Sequence, residues 1–526
     1  MIANYILASI FVPVLFIIPG LFITPFLKRK SCLEMISISL FLSFTILGVF
    51  SILLKITGIG FSFSATFFFV LLFLSLFLVK LKKRKITFNL DKTARAIILI
   101  FLIGYFIKII LQIFIPFYPL GGDWFENYNK SLVFFSSDWK FENRPPLFNC
   151  LIAFVMSIFG KDLWVAQIVA VFLNSIFIFP FFLLAKKFCD KETAVLSTVF
   201  VSINPLLIEN ALYIWPKNFV GFFVLLFFYL ILEKKKDWFL LGGLAGMSLL
   251  THQLSIFYLL TGFIILYSFY KTKIFFSKWF WLMLLAILVF ITPWIVYTTI
   301  FNPSPSHIVF LYYPFAVEGY EKVLNASFPE VWKAFSTKPL YYVIGVRIVN
   351  LVNTLFPVIP ILKIVNLLFP IPTIYLHKIV NISSLPLAYH YFHSIPGNLT
   401  LFLSIFVFLG IVKIYRTKQH RALLIITLLP LIFTDLFYGW IVPGLARQTL
   451  QPIIPLLILI GIWYVNSLKY QKCLLILILI LTFVEAVIFI YSYYDYFLST
   501  WKFLSEIGVL NAWVEQKSAY NIFFKS

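Results

Sequence analysis

An acid followed by a cation and two prolines is the arrangement in this chain best suited to chemistry. Asp123 stands in Gly121-Gly122-Asp123-Trp124, just past a long apolar run, and Glu142-Asn143-Arg144-Pro145-Pro146-Leu147 follows. A carboxylate where an apolar helix meets water can take a proton from a reacting hydroxyl. Cations nearby can hold an anion, Arg as a planar two-pronged donor and Lys as a point charge. The candidate cations are Arg447, Arg144, Lys217, His252 and Arg347, with the first two ranked highest. Glu126, Glu209 and Glu142 are secondary acids. Plainer readings compete. Asp123 reads equally as a solvated loop acid, Arg144 and Lys217 as anchors whose stems lie along apolar surface, and His252 as a satisfied polar residue at a helix end.

The elements that would position these residues are membrane helices. Hydrophobic residues make up 62% of 526 positions, and the mean hydropathy is +1.00. A bilayer core about 30 Å thick needs ~20 apolar residues per helix. Such runs fall at 4–26, 35–56, 62–80, 96–117, 163–185, 193–208, 217–232, 238–252, 254–270, 278–298, 398–414, 421–438, 450–468 and 472–492. The expected fold is therefore all-α and polytopic, with about fourteen transmembrane helices and interfacial helices in the outer loops. The first run lacks a basic leader and a small-residue cleavage site, so it reads as a retained helix. The net charge of +22 does not point to nucleic acid, because the basic residues sit in short clusters between apolar runs.

Those clusters set the sidedness. Alternating sides from an outside N-terminus puts Lys28 to Lys30, Lys80 to Arg95, Lys186 to Lys191, Lys234 to Lys236, Lys271 to Lys278, Lys413 to Arg421, and Lys469 with Lys472 on one face, the cytoplasmic one. The stretch 148–159 is apolar but too short to span; counting it as a crossing would throw every later cluster outside. It is expected to lie along the outer surface as an interfacial helix. Asp123, Glu142, Arg144, Lys217, His252 and Arg447 then share the outer face. The long outer segments are 118–162 and 299–397, the second rich in Pro and carrying Arg347. Four Asn-x-Ser/Thr sequons, at Asn129, Asn325, Asn381 and Asn398, fall on the same side. Tyr118, Trp139, Trp215 and Trp440 read as interfacial belt residues. Lys108, inside the fourth run, needs a partner in the bundle, for which Glu485 and Asp435 are candidates. The four cysteines match no metal spacing, no metal site is readable, and a divalent cation requirement stays open. No cofactor is named.

The order of these features resembles a family. An apolar helix ends at an outer acid, Asp123; Ser136-Ser137-Asp138-Trp139 and Glu142 to Leu147 follow; an amphipathic stretch closes at Phe159-Gly160; and a helix ends Leu184-Ala185-Lys186-Lys187-Phe188. This resembles the type C glycosyltransferases of the protein O-mannosyltransferase and aminoarabinose transferase group, with their first-loop acids, Gly-Asp-Trp-like segment and Lys-Pro-Pro-Leu-like motif. Leu241-Gly242-Gly243-Leu244-Ala245-Gly246 through His252 resembles the family's glycine-rich helix, and Ala446-Arg447 through Pro455 its Arg-Tyr helix start. The resemblance covers 96–298 and, more loosely, 398–468. It departs where Trp124 replaces the second acid and Lys217-Asn218 an expected acid, and the helices before residue 96 are extra. Its implied organisation is extra N-terminal helices in 1–95, a glycosyltransferase membrane module in 96–298 with a catalytic loop at 118–162, a large outer segment 299–397, C-terminal helices in 398–492, and a short outer tail, 493–526.

The resemblance implies a polyprenyl-phosphate sugar donor, a lipid, glycan or protein acceptor, and a cell-membrane enzyme working at the extracytoplasmic face. Phosphate leaves as a stable anion, so such a transfer needs one base, Asp123, and cations for the phosphate, but no general acid. A secondary transporter or lipid flippase is the alternative; it would show inverted repeats and midplane ionisable groups, and no repeat is visible.

Overall fold

The computed structural model describes residues 2–21, 23, 31–56, 61, 90–114, 123–136, 145–234, 237–296, 344, 348, 351, 355, 401–437 and 451–506. The run at 62–80, nearly all of 299–397, and Glu142, Arg144, Arg347 and Arg447 lie outside these residues. Asp123 and Glu126 are described in their backbone alone.

Apolar runs in this chain become helices because a helix satisfies every backbone hydrogen bond without help from solvent. The described helices are α1 (Ile2–Leu21), α2 (Cys32–Ile56), α3 (Lys92–Phe114), α4 (Asp123–Leu132), α5 (Leu147–Phe159), α6 (Leu163–Leu173), α7 (Ile178–Ala185), α8 (Lys191–Ile203), α9 (Pro205–Leu212), α10 (Lys217–Leu232), α11 (Trp238–Thr251), α12 (Ser255–Tyr270), α13 (Lys278–Val296), α14 (Leu401–Thr417), α15 (Arg421–Phe437), α16 (Ile454–Asn466) and α17 (Gln471–Glu506). A 3-10 turn, Val133–Phe135, extends α4. No strand occurs among the described residues. Among the described residues, six helical segments are long and apolar enough to cross a membrane, or seven with the bent pair α8–α9 as one span, and shorter apolar helices accompany them.

The span α6–α7 is wholly buried and, with α5 and α10, forms the centre of the bundle. Around it, α3 leaves Leu99, Ile103, Phe106 and Ile110 exposed, α13 leaves Leu288 and Val289, and α17 leaves Ile476 and Phe483. Apolar side chains exposed at helical spacing form a lipid-facing rim. The helices before residue 90 belong to the core as well. Phe16 of α1 stacks on Phe172 with ring centroids 5.5 Å apart, and Phe44 of α2 meets Phe219 edge-on at 5.1 Å.

The two ends of the bundle differ. At one end the basic loops meet: Lys187 pairs with Glu233, Lys191 lies 3.9 Å from Asp91, Lys413 donates to Ser467 Oγ at 2.6 Å, and Asn466 donates to Thr193 Oγ1 at 2.7 Å. Asp190 caps α8 by accepting from the Thr193 amide, which holds its carboxyl below the usual range. These contacts join loops that the alternating scheme assigns to one face. At the other end lie the C-terminus of α2, helix α4, and the corner between α9 and α10.

Two sequence expectations are corrected, and a third gains a detail. The run 193–208 is not one helix: Pro205 cannot donate to the preceding turn, Asn204 caps a fresh start by accepting from Leu207 N at 3.1 Å, and α8 and α9 diverge by 53°. The run 163–185 is one span, as expected, with an irregular turn at residues 174–177 around Asn174. The stretch 148–159 forms a helix, α5, but it does not lie along the surface. Leu147 to Met156 are all buried, enclosed by α1, α2, α4, α6 and α11. An interfacial helix needs a charged face; this one has none among those residues and is therefore driven inside. Gly160 closes it at φ 111°, a backbone region that side chains other than hydrogen tolerate poorly.

Candidate active site

The corner at residues 213–216 is the feature around which the candidate residues gather. It links α9, which carries Glu209, to α10, which opens with Lys217, and two buried asparagines hold it. Asn174, at the break between α6 and α7, donates through Nδ2 to Trp215 O at 2.7 Å and accepts at Oδ1 from Phe219 N at 3.0 Å. Asn127 of α4 donates to Ile214 O at 2.9 Å. The break in α6–α7 thus turns an asparagine amide, costly inside a membrane protein unless bonded, into a two-point clamp on backbone that no helix satisfies.

Lys217 is 6% exposed, so it does not snorkel towards water. Its Nζ lies 3.4 Å from the centroid of the Trp215 ring, where the ring's negative face attracts a cation. Trp215 is itself buried and serves as a platform for Lys217 rather than as a belt residue. Glu209 is buried one turn before the corner, with its backbone carbonyl accepting from Tyr213 N at 3.2 Å.

Helix α4 begins at Asp123. A helix N-terminus carries the positive end of the backbone dipole. Asn127, which bonds the corner, lies four residues on in the same helix. The helix is pinned elsewhere too. Tyr128 donates to Lys161 O at 2.8 Å, and Lys161 Nζ sits 4.3 Å over the Phe135 ring. Glu126 belongs to the same first turn of α4.

His252 ends α11. Its Nδ1 accepts from Leu254 N at 3.2 Å, and its carbonyl accepts from Ser255 Oγ at 2.6 Å. These two contacts are work at a helix end. Lys108 pairs with neither Glu485 nor Asp435; its ammonium donates to Ser175 Oγ at 3.1 Å, beside the Asn174 break. Arg144, Arg347, Arg447 and Glu142 lie outside the described residues, although Pro145 and Pro146, next to Arg144, are buried at the start of α5.

The same end of the bundle holds buried amides with no partner in the protein. Both amide atoms of Gln112, near the end of α3, and of Gln451, just before α16, are unsatisfied, as are Asn210 Oδ1 and Asn218 Oδ1. Pro452, the neighbour of Gln451, approaches Gly221, one turn along α10 from Lys217. Each such buried group costs about 1–3 kcal/mol if nothing bonds it, which suits a site for a hydroxyl-rich ligand. Among the described residues there is no group of three or more His, Cys, Asp or Glu that could hold a metal ion.

Sequence reasoning missed Asn127, Asn174 and the role of Trp215. Asn174 carried a signal, a lone amide inside a long apolar run, where polar residues mark packing or function. Asn127 carried a weaker one, its spacing of four from Asp123.

Residues 143–297 match the family model for dolichyl-phosphate-mannose-protein mannosyltransferase. The matched segment starts beside Arg144 and ends at α13, so it contains α5, the Asn174 break, the corner and Lys217. No match is found among curated proteins.

Proposed function

We propose, from the match of residues 143–297 to the dolichyl-phosphate-mannose-protein mannosyltransferase family model, that this membrane glycosyltransferase moves a sugar from a polyprenyl-phosphate-linked donor to a hydroxyl acceptor at the extracytoplasmic face. Asp123 is the base. The observation that carries this reading is the bond from Asn127 to Ile214 O, which docks the acid-bearing helix onto the corner of the matched segment that presents Lys217.

In the proposed step the acceptor oxygen gives its proton to the Asp123 carboxylate and attacks the anomeric carbon. The bond from that carbon to the phosphate oxygen breaks, and polyprenyl phosphate leaves with the electron pair. Lys217, with Arg144, Arg347 and Arg447, supplies positive charge as the leaving phosphate gains negative charge, and His252 stands as a further candidate for contact with that phosphate. A single displacement of this kind inverts the anomeric centre. The family name gives a protein as the acceptor; lipid and glycan hydroxyls are the competing acceptors. The transporter or flippase reading has one observation in its favour, the broken span α8–α9. It is outweighed, because that span lies inside the segment matched to a glycosyltransferase family.

The test is reconstitution of the purified protein in vesicles with polyprenyl-phosphate sugars and peptide, lipid or glycan acceptors. Release of polyprenyl phosphate in step with sugar transfer, giving the inverted anomer, is the expected result. Absence of release with every donor, or retention of configuration, would refute the proposal.

A further inference from the structure

Helix α2, before residue 90, includes a lysine that reaches the far end of the acid-bearing helix α4. Lys55 stands in the last turn of α2, in a run that the matched family segment does not include. It is 2% exposed. Its Nζ donates to Val133 O at 2.6 Å, to Ser136 O at 3.0 Å and to Ser136 Oγ at 3.0 Å. Three acceptors match the three N–H bonds of an ammonium.

Two of those acceptors are backbone carbonyls at the far end of α4 and its 3-10 extension: Val133 O, which also accepts from Ser136 N and Ser136 Oγ, and Ser136 O. That end carries the negative pole of the helix dipole, and so does the C-terminus of α2 beside it. One cation therefore answers two converging negative helix ends. Burying an ammonium costs several kcal/mol unless its bonds are made in full, so a lysine here is expensive as packing and well suited as a clamp. It grips the chain at Ser136, between Asp123 and Arg144 in the sequence.

We propose that Lys55 is a positioning residue: from the accessory helix α2 it fixes the C-terminal end of the acid-bearing helix and so sets the placement of the loop that carries the base. This assigns the N-terminal helices a part in the active site. It rests on the reading of Asp123 as the base, and the test separates the two.

The experiment compares Lys55→Met, Lys55→Arg and Ser136→Ala in the full-length protein in nanodiscs, by amide hydrogen exchange and by steady-state transfer. In Lys55→Met, exchange of residues 123–136 should quicken by roughly tenfold or more while the rest of the protein keeps its protection. Its kcat should fall by at least about tenfold with little change in donor KM, because the clamp touches no donor. Lys55→Arg keeps a buried cation and should recover part of both. Ser136→Ala removes one acceptor without touching the buried charge and should give a smaller shift of the same kind, a readout that remains if Lys55→Met folds poorly. Wild-type exchange at 123–136 in both Lys55→Met and Ser136→Ala overturns the clamp. So does faster exchange there with unchanged kcat, or a loss of protection spread evenly over the protein. If Asp123→Asn proves fully active while Lys55→Met still loosens 123–136 and lowers kcat, the clamp stands and the base assignment falls.

Discussion

Lys217→Met separates a phosphate-binding lysine from a packing lysine, because the two roles predict effects of opposite sense. The ammonium is 6% exposed and lies 3.4 Å from the Trp215 ring centroid. The cation–π contact is one part of its structural contribution, about 0.5–2 kcal/mol, set against the desolvation of a buried charge. Methionine keeps the length and apolar stem and removes that desolvation, and apolar replacement of buried charges is often neutral or stabilising, so the folded protein should keep most of its stability. If Lys217 instead meets the donor phosphate, the variant loses one charge-stabilising donor in the transition state, about 2–4 kcal/mol. That corresponds to a fall in kcat/KM of roughly 30- to 900-fold. The assay is transfer per folded molecule, with folding followed by thermal unfolding in detergent. Near-normal melting with a large loss of kcat/KM is the expected outcome. Specific activity within about twofold of wild type would refute the phosphate role and leave Lys217 a part of the Trp215 packing.

Asp123→Asn should stay folded and inserted but lose at least ~10²-fold in transfer, since amide replaces base at equal size; near-normal turnover would hand the role to Glu126. Arg447→Lys should weaken donor use because the two-pronged planar donor is lost, and Arg447→Ala should cost about 2–4 kcal/mol of transition-state stabilisation; equal specific activity in both would remove Arg447 from the site. Asn174→Ala should orphan Trp215 O and Phe219 N, each worth about 1–3 kcal/mol when buried, and so lower both the melting temperature and the activity; unchanged melting would mean that the corner is held by other contacts. A cysteine at Ser137 should react with an impermeant thiol reagent added outside intact cells, with native Cys150 left in place because it is buried and its thiol is pushed up by that burial; labelling only after permeabilisation would reverse the proposed sidedness.

Hydropathy and spacing carried the helical architecture a long way. The helices at 32–56, 217–232, 238–251 and 421–437 lie within a few residues of the expected runs, because each must satisfy its own backbone whatever its neighbours do. Among the described residues, the loops carrying Lys187, Lys191 and Lys413 meet at one end, where Lys187 finds Glu233 and Asn466 finds Thr193. Hydropathy and spacing are local properties, readable from one stretch of chain at a time. The corrections came wherever partners distant in sequence decided the outcome. Helix α5 is short and apolar in either reading, and only the helices packed over it make it buried. Lys217 reads as an anchor until Trp215 folds beneath it. The breaks at Asn174 and Asn204 differ in kind: Pro205 announced the second in the sequence, whereas the first is explained by Trp215 O and Phe219 N, forty-odd residues away. Lys55 is the clearest case. In sequence it is a cation closing an apolar run, as interfacial lysines do; in the fold its ammonium holds carbonyls 78 and 81 residues further on. Helix formation depends on periodicity that any window of sequence displays, whereas the placement of a buried polar group depends on which unsatisfied atoms the packing brings to it, and that is decided only in three dimensions.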